Sequence, residues 1–459
     1  MPRSALPLLA LLLPACSWSR FDDVGENAPV VILRKPAKYP SFGFSLATAL
    51  NPDKSSRVFV GGTSGHTPGS VFELGLGTTP ITDAIDTGAC AQGGPDDAPC
   101  FLGTSVAGVG SADVGGKTPG TQCFVMGVGK AAGSPEYGLI GRCQDTTEYT
   151  LTVPPDVLQK VIKEEILGQP APNAPIVLAA DEGQTAAIAA AAPVQGFAWY
   201  YQPGTVARSI AHPVPLVGPA KGKESKYGSA LAVLRLGFHS DDTVDRRIVA
   251  VGSPEPGNVW LFEGDGSGNK VGCLGGIAGL GRTLASGPVD GDAFDDLVVA
   301  DDQNVTVFSG AALAALEPAD DVTCSLAALP PHGIIASFGC GSRDSVGGCP
   351  GGFATSLAVG DLDGDQDGEV IVGAPFMTAR EKGAAGAVLV YDAEGPSPDA
   401  LTDLLFLASA DENDALGTAV AAAPIDGRDV IVAGAPGGGR TAVFYCSALG
   451  GAASGSRCQ

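Results

Sequence analysis

Seven segments of the chain repeat one pattern, and this periodicity constrains the fold more than any other feature. The full pattern is an alternating apolar run, a polar or acidic loop, a second apolar run that ends in a turn, and a third apolar run. Of the two weaker copies, 102–129 keeps the opening, and 174–201 keeps the turn and the last run. Six repeats separate Gly43 from Gly417, or about 62 residues each. The segments are residues 42–74, 102–129, 174–201, 227–264, 281–310, 353–392 and 416–446.

A repeat of this length suits one four-stranded antiparallel sheet of a β-propeller. A single small sheet cannot bury both of its faces, whereas sheets stacked around a ring can. With 66 Gly, 35 Pro and 44% apolar residues, the composition favours short strands and tight turns, and only short stretches such as residues 154–167 have a helical pattern. We therefore predict an all-β, seven-bladed β-propeller of four-stranded antiparallel blades, as a single domain over residues 29–459. The apolar stretch 29–33 precedes the first repeat, and we expect it to close the ring by adding a strand to the last blade.

Three segments carry a family resemblance: FGFS (42–45), DLDGDQDGEVIVGAP (361–375) and VIVAGAP (430–436). They resemble the FG-GAP repeat of the integrin α-subunit propeller. The likeness extends over nearly the whole chain after residue 28, strongly over 227–446 and weakly over 102–201. It implies a seven-bladed propeller with metal loops on one face and ligand surfaces usually on the other. Because integrin leg domains and a transmembrane anchor are not recognised here, we do not expect integrin-style signalling.

The strongest chemical motif is the acidic loop 361–369. Carboxylates stand at its positions 1, 3, 5, 7 and 9, and Ca²⁺ takes six to eight oxygen ligands of this kind. Position 12 is Val372 and position 6 is Gln366, which disfavours an EF-hand, so we predict a Ca²⁺ loop between two strands. The alternative is a solvated acidic turn. The predicted ligands are Asp361, Asp363, Asp365, Asp367 and Glu369.

Three other loops contain fewer acids. Residues 288–297 place Asp290, Asp292 and Asp296 at positions 3, 5 and 9, with Pro288 at position 1, and form a weaker metal candidate. Residues 239–247 run directly into two arginines and favour an ordinary polar turn. The last repeat has only two acids, Asp426 and Asp429, around an arginine, and we predict no metal there.

The N-terminus predicts export. Residues 1–15 combine an early arginine with a short apolar run, as in a signal peptide. The ending LPAC resembles a bacterial lipobox, which implies cleavage before Cys16 and a lipid on its sulfur; an ordinary cleaved signal beside a chance cysteine is the alternative. Residues 16–28 would then be a tether. Ser17 is not an acidic retention signal, so we expect an outer-membrane lipoprotein that faces the periplasm or the cell surface.

Ten further cysteines favour disulfides, because an even number in an exported chain is typical of an oxidising compartment. Zinc is disfavoured because the sequence has no CxxC pair and its four histidines are scattered. Pairing in sequence order is the simplest arrangement, although sequence alone does not determine connectivity. It gives Cys90–Cys100, Cys123–Cys143, Cys273–Cys324, Cys340–Cys349 and Cys446–Cys458.

Enzyme signatures are poor. No GxSxG or HExxH motif occurs, and residues 110–118 miss the spacing of a phosphate-binding loop by one residue. The net charge of −23 argues against nucleic acid or an anionic membrane surface as a partner, so we expect membrane contact through the N-terminal lipid only.

These patterns together predict a monomeric, non-enzymatic, Ca²⁺-stabilised and lipid-anchored propeller that binds a protein or glycan or scaffolds a surface complex. An exported hydrolase of glycans or phospholipids is one alternative, and carboxylates clustered around the central channel would favour it. A carbohydrate-binding lectin is another, and aromatic pockets between the blades would favour that.

Overall fold

The described part of the chain covers most of the repeats. The computed structural model describes residues 30–34, 41–50, 56–64, 67–75, 84–85, 104–109, 123–130, 137–143, 148–152, 176–181, 187–194, 196–201, 213–219, 224–238, 244–319, 321–326, 329, 332–339, 352–362, 364–378, 382–391, 405–408, 411–425 and 428–444. The predicted signal peptide, Cys16, the tether and the helical pattern at 154–167 lie outside these residues.

The described residues form 28 strands and one short helix, α1 (Gly310–Ala314). The strands are β1 (Val30–Arg34), β2 (Ser41–Leu50), β3 (Ser56–Ser64), β4 (Thr67–Gly75), β5 (Ala84–Ile85), β6 (Val106–Gly108), β7 (Cys123–Lys130), β8 (Tyr137–Cys143), β9 (Glu148–Thr152), β10 (Val177–Ala180), β11 (Ile188–Ala192), β12 (Phe197–Tyr201), β13 (Val214–Leu216), β14 (Leu231–Phe238), β15 (Val244–Ser253), β16 (Asn258–Glu263), β17 (Lys270–Gly275), β18 (Thr283–Gly287), β19 (Asp296–Ala300), β20 (Asn304–Phe308), β21 (Ile334–Gly339), β22 (Ser356–Gly360), β23 (Glu369–Ala374), β24 (Ala387–Tyr391), β25 (Leu405–Ala408), β26 (Ala419–Ile425), β27 (Arg428–Ala435) and β28 (Arg440–Phe444).

These strands pair into seven four-stranded sheets. Sheets 1 to 6 each take four consecutive strands, from β2–β5 through to β22–β25, and sheet 7 has the order β26-β27-β28-β1. Every pairing is antiparallel, so the prediction of an all-β propeller with four-stranded antiparallel blades is confirmed. The predicted closing strand is also confirmed, because Val30 pairs with Phe444 and Arg34 with Arg440.

The first strand of each sheet lies innermost and contacts the first strand of the next sheet. These contacts run in order from β2 to β26, and β26 contacts β2 again. Buried apolar side chains fill the space between neighbouring sheets. Between sheets 7 and 1, for example, the cluster consists of Phe42, Val58, Val60, Phe72, Ala421, Ala423, Val430, Val432 and Val443. Each sheet therefore buries its faces against its two neighbours, which is how short repeats acquire a core.

Glycines allow the sheets to approach at the start of the innermost strands. Gly43 and Gly417 have φ angles of 91° and 87°, a region that L-residues avoid. A Cβ on Gly373 would overlap the carbonyl oxygen of Gly417 in the next sheet, and one on Gly434 would overlap that of Gly43. At both places, the backbones of neighbouring sheets thus contact each other directly. Sheet 6 departs from the pattern, because Ala354 occupies the equivalent position with φ 54°.

A segment after α1 crosses from sheet 5 to the outer edge of sheet 4. Its backbone donates from Ala319 N to Lys270 O at 2.9 Å and from Ser325 N to Cys273 O at 3.0 Å. The predicted Cys273–Cys324 disulfide is confirmed and fastens this segment to β17. It covers an edge strand that would otherwise offer unpaired backbone groups.

Of the other predicted disulfides, one has a position in the described strands. The strand register sets Cys123 directly opposite Cys143, and their bridge stays a prediction. The remaining three predicted pairs lie outside the described residues. None of the described helices is long and apolar enough to cross a bilayer.

Gly417→Ala tests the close approach of the sheets. The substitution is expected to lower the free energy of unfolding by more than about 2 kcal/mol, because left-handed backbone costs an L-residue about 1–2 kcal/mol and the added Cβ overlaps Ala387 O. Gly276→Ala is the matched control, since Gly276 has φ 100° but nothing within 4 Å of the added atom. Urea unfolding followed by circular dichroism measures the free energy of unfolding of both variants. An equal loss of stability in the two would contradict a role for the backbone contact between sheets.

Candidate metal-binding loops

The two ends of the sheets carry different chemistry. We call the side where each first strand turns into the second the acidic-loop face, since residues 361–362, 364–368 and 288–295 lie there. We call the opposite side the turn face; second strands end there in turns at Pro193, Pro254, Pro375 and Pro436.

Loop 361–369 curls back on itself between β22 and β23. Asp361 accepts hydrogen bonds from Gly364 N at 2.6 Å and Gln366 N at 3.1 Å, one on each carboxylate oxygen. Glu369 accepts from Leu362 N at 2.8 Å, which closes the loop where the strands begin. Gly364 and Gln366 both have positive φ, 85° and 82°, and these two residues produce the tight curl. The carboxylates at positions 1 and 9 are therefore oriented by backbone N–H groups of the same loop.

The other predicted ligands of this loop have separate positions. Asp365 accepts from Asp367 N at 3.1 Å. The Asp367 side chain lies against Gly291 of loop 288–296, so closely that a Cβ on Gly291 would overlap the Oδ1 atom of Asp367. Asp363 lies outside the described residues. Among the residues that the structure does describe, no three His, Cys, Asp or Glu side chains converge on one point, and the predicted Ca²⁺ site stays a prediction.

In loop 288–296, one of the three candidate ligands points into the protein interior. Asp296 is fully buried and accepts from Val289 N at 2.8 Å, Asp290 N at 3.2 Å and Gly310 N at 2.8 Å. Burial raises the pKa of Asp296 to about 7. Its contact with Gly310 ties the loop to the start of α1, so Asp296 has a structural role that its place in the motif did not reveal.

The remaining two candidate ligands of this loop, Asp290 and Asp292, orient its own backbone. Asp290 accepts from Asp292 N at 3.3 Å, and Asp292 accepts from Phe294 N at 2.7 Å. Burial, with the neighbouring Asp290 charge as a smaller cause, raises the pKa of Asp292. This loop therefore presents two carboxylates that could face a cation, fewer than loop 361–369.

A hydrogen bond joins neighbouring sheets at the acidic-loop face, and it recurs. The residue at loop position 8 donates its backbone N–H to the carbonyl oxygen at position 1 of the preceding sheet. The donors and acceptors are Asp295 and Arg235, Gly368 and Pro288, and Asp429 and Asp361, at 2.8, 2.8 and 2.7 Å. At the closure of the ring, the Ser56 hydroxyl donates to Pro424 O in the same place.

Ion pairs between sheets add to this contact, and the sequence did not predict them. Arg235 binds Asp295 through two guanidinium nitrogens, with Nε 2.9 Å from Oδ2. Arg247 binds the buried Asp181 of sheet 3, with Nε 2.6 Å from Oδ2. Burial raises the pKa of Asp181, while the Arg247 charge acts in the opposite direction. The only signal in the sequence was the run of two arginines at 246–247, which gave no indication of the partners.

The innermost strands carry almost no ionisable groups. Within β2, β6, β10, β14, β18, β22 and β26 as the structure describes them, Arg235 is the sole charged residue, and it is paired with Asp295. The side chains there are mainly Ala, Val, Leu, Ser and Thr. These strands therefore supply no carboxylate for acid or base chemistry around the ring axis.

Comparison with known proteins agrees with the repeat. Residues 353–391 match the family described as FG-GAP repeat. Over 102 residues the chain is 36% identical to integrin alpha-7 of Homo sapiens, and it is equally similar to integrin alpha-7 of Rattus norvegicus and of Mus musculus. The matched region is 22% of this chain and 9% of each integrin. The chain thus contains an FG-GAP repeat and is similar to part of an integrin α subunit.

Proposed function

We propose that the chain is an exported, lipid-anchored and non-enzymatic propeller, that its seven sheets are the blades of one closed ring, and that it binds a protein or glycan through its turn face. Loop 361–369 holds a Ca²⁺ ion that stabilises the ring. The observation that supports a binding function rather than catalysis is the absence of carboxylates from the described innermost strands.

The residues of loop 361–369 fit a hard cation. Every candidate donor is an oxygen, and Asp361 and Glu369 are oriented by N–H groups of the loop. An acceptor that takes one backbone hydrogen bond keeps lone pairs for a metal. Several carboxylates within nine residues also repel one another, and a divalent ion removes that repulsion. A bound ion would supply charge neutralisation and rigidity to the β22–β23 connection.

Calcium removal tests this site. A chelator is expected to lower the melting temperature of the wild type, and added Ca²⁺ to restore it, since a ligand at 100 times its Kd stabilises the folded state by about 2.7 kcal/mol. Mg²⁺ is expected to substitute poorly because it requires a tight octahedron. The double variant Asp363→Ala, Asp365→Ala is expected to lose most of the response.

The comparison variant for the calcium experiment is Asp290→Ala, Asp292→Ala, which removes the same charge from the weaker candidate loop. It is expected to keep most of the Ca²⁺ response, because that loop presents only two carboxylates to a cation. A wild type that melts at the same temperature with Ca²⁺ and with chelator, and that holds no ion by elemental analysis, would contradict the site.

Two observations favour a binding protein over the alternatives. A hydrolase of the predicted type needs carboxylates around the channel, and the described innermost strands lack them. A lectin is expected to have aromatic pockets between the blades, whereas Trp199, Tyr200 and Tyr201 of β12 and the nearby Tyr227 are each at most 1% exposed. These four aromatic residues thus support the core rather than a pocket between blades.

The turn face is the more suitable surface for a macromolecule. Val194 and Phe376 each follow the proline of a turn on this face and are 48% and 61% exposed. Phe44, at the start of β2, is 42% exposed on the same side. These side chains lie on sheets 3, 6 and 1, so a partner that contacts them together must be large.

Substitution of the exposed turns tests the ligand surface. Immobilised wild type is expected to capture a specific partner from envelope extract or to bind members of a glycan array, and the double variant Val194→Asp, Phe376→Asp to lose that binding at least tenfold. Ile334→Asp is the control, because Ile334 is 44% exposed but lies on an outermost strand. Equal binding by all three proteins would contradict the turn face, and release of product from glycans or phospholipids would favour the hydrolase.

The anchor is compatible with this orientation. Val30 begins β1 opposite Phe444, the last residue of β28, so the chain enters the ring from the acidic-loop face. A lipid on Cys16 would hold that face toward the membrane and leave the turn face directed away from it.

Cys16→Ala tests the anchor. In a bacterial host, the wild type is expected to incorporate labelled fatty acid and to partition into detergent, and the variant is expected to do neither. A wild type that stays unlabelled and soluble would contradict lipidation without bearing on the ligand surface.

A further inference from the structure

Asp429 and Asp361 hold each other across the interface between sheets 7 and 6. Asp429 N donates to Asp361 O at 2.7 Å, and Asp361 N donates to Asp429 Oδ2 at 2.9 Å. The Asp361 carboxylate meanwhile accepts from Gly364 and Gln366 within its own loop. The backbone of the first loop residue is therefore fixed by sheet 7, and its side chain by sheet 6.

Two of the other three interfaces where this contact is described lack its side-chain part, because Gly368 has no side chain and Ser56 faces a proline that has no N–H. The third has it: Asp295 Oδ2 accepts from Arg235 N at 2.8 Å, and Asp295 also pairs with the Arg235 guanidinium. Asp429 differs from Asp295 in that the residue it holds, Asp361, is a predicted ligand of the Ca²⁺ loop.

We propose that Asp429 is a positioning residue for the Ca²⁺ loop of sheet 6, and that ion binding in this loop stabilises the interface between sheets 6 and 7. This role rests on the calcium site proposed above. Asp429 acts through the main chain of Asp361, because its Oδ2 contacts that backbone nitrogen. An ion that binds the Asp361 carboxylate also restricts the backbone N–H and carbonyl groups of Asp361. Both groups hydrogen-bond to Asp429, so the contact between sheets 6 and 7 becomes more rigid.

Three variants test the role of Asp429. Asp429→Ala is expected to raise the Kd for Ca²⁺ by about 10–100-fold, the usual cost of losing a group that orients a metal ligand. Asp429→Asn is expected to bind nearly as tightly as the wild type, because its amide oxygen still accepts from Asp361 N. Ser56→Ala removes the equivalent contact at the closure of the ring and is expected to lower the melting temperature equally with and without Ca²⁺. Titration calorimetry and thermal unfolding measure these effects.

A second measurement uses the wild type and needs no variant to fold. Ca²⁺ is expected to slow amide hydrogen exchange of peptides from 428–435 in sheet 7 as well as from 361–369. Protection confined to 361–369, or an unchanged Kd in Asp429→Ala, would overturn the proposal.

Two other outcomes have different meanings. Equal loss of affinity in Asp429→Asn and Asp429→Ala would overturn the positioning role, because the charge itself would then be needed. If the wild type binds no Ca²⁺, the calcium site and this role are both overturned. If the wild type binds Ca²⁺ and Asp429→Ala leaves the Kd unchanged, this role alone is overturned.

Discussion

The close approach of the backbones of neighbouring sheets at the turn face is the constraint on which the ring depends. Gly373 meets Gly417, and Gly434 meets Gly43, with no room for a Cβ between them. Hydroxyls reinforce the contact, since Ser356 Oγ donates to Gly417 O at 2.9 Å.

On the acidic-loop face the same sheets are joined by hydrogen bonds instead. The contact between loop positions 8 and 1 uses backbone atoms in three interfaces and a serine hydroxyl at the closure of the ring. The backbone contact needs an N–H at position 8 but no particular side chain, and the three interfaces have Asp295, Gly368 and Asp429 there. The two aspartates add a second bond, because each carboxylate accepts from the backbone N–H at position 1. The closing strand β1 completes the arrangement by joining the start of the described chain to its last sheet.

Much of this architecture could be predicted from the repeat, because strand order and turn position follow directly from its period. The strands predicted in residues 353–392 correspond to β22, β23 and β24, and the resemblance to FG-GAP repeats agrees with the matched family. Three features could not be predicted. Ala354 adopts a left-handed backbone with φ 54°, the segment after α1 crosses to a neighbouring sheet, and Asp181 meets Arg247 from 66 residues away. Each depends on contacts between repeats, and a pattern within one repeat contains no information about them.

The acidic loops illustrate the same limit at the candidate site. Spacing treats the carboxylates at alternate positions as equivalent, yet their partners separate them. Asp296 accepts from three backbone N–H groups, Asp367 lies against the neighbouring loop, and Asp361 is bound from both sides. Burying a carboxylate is costly unless N–H groups or a cation compensate for its charge. In a chain of net charge −23, loops that meet between sheets concentrate this cost at the interfaces. A cation bound there would act on two sheets at once, and this is the physical reason for linking a metal loop to the stability of the ring.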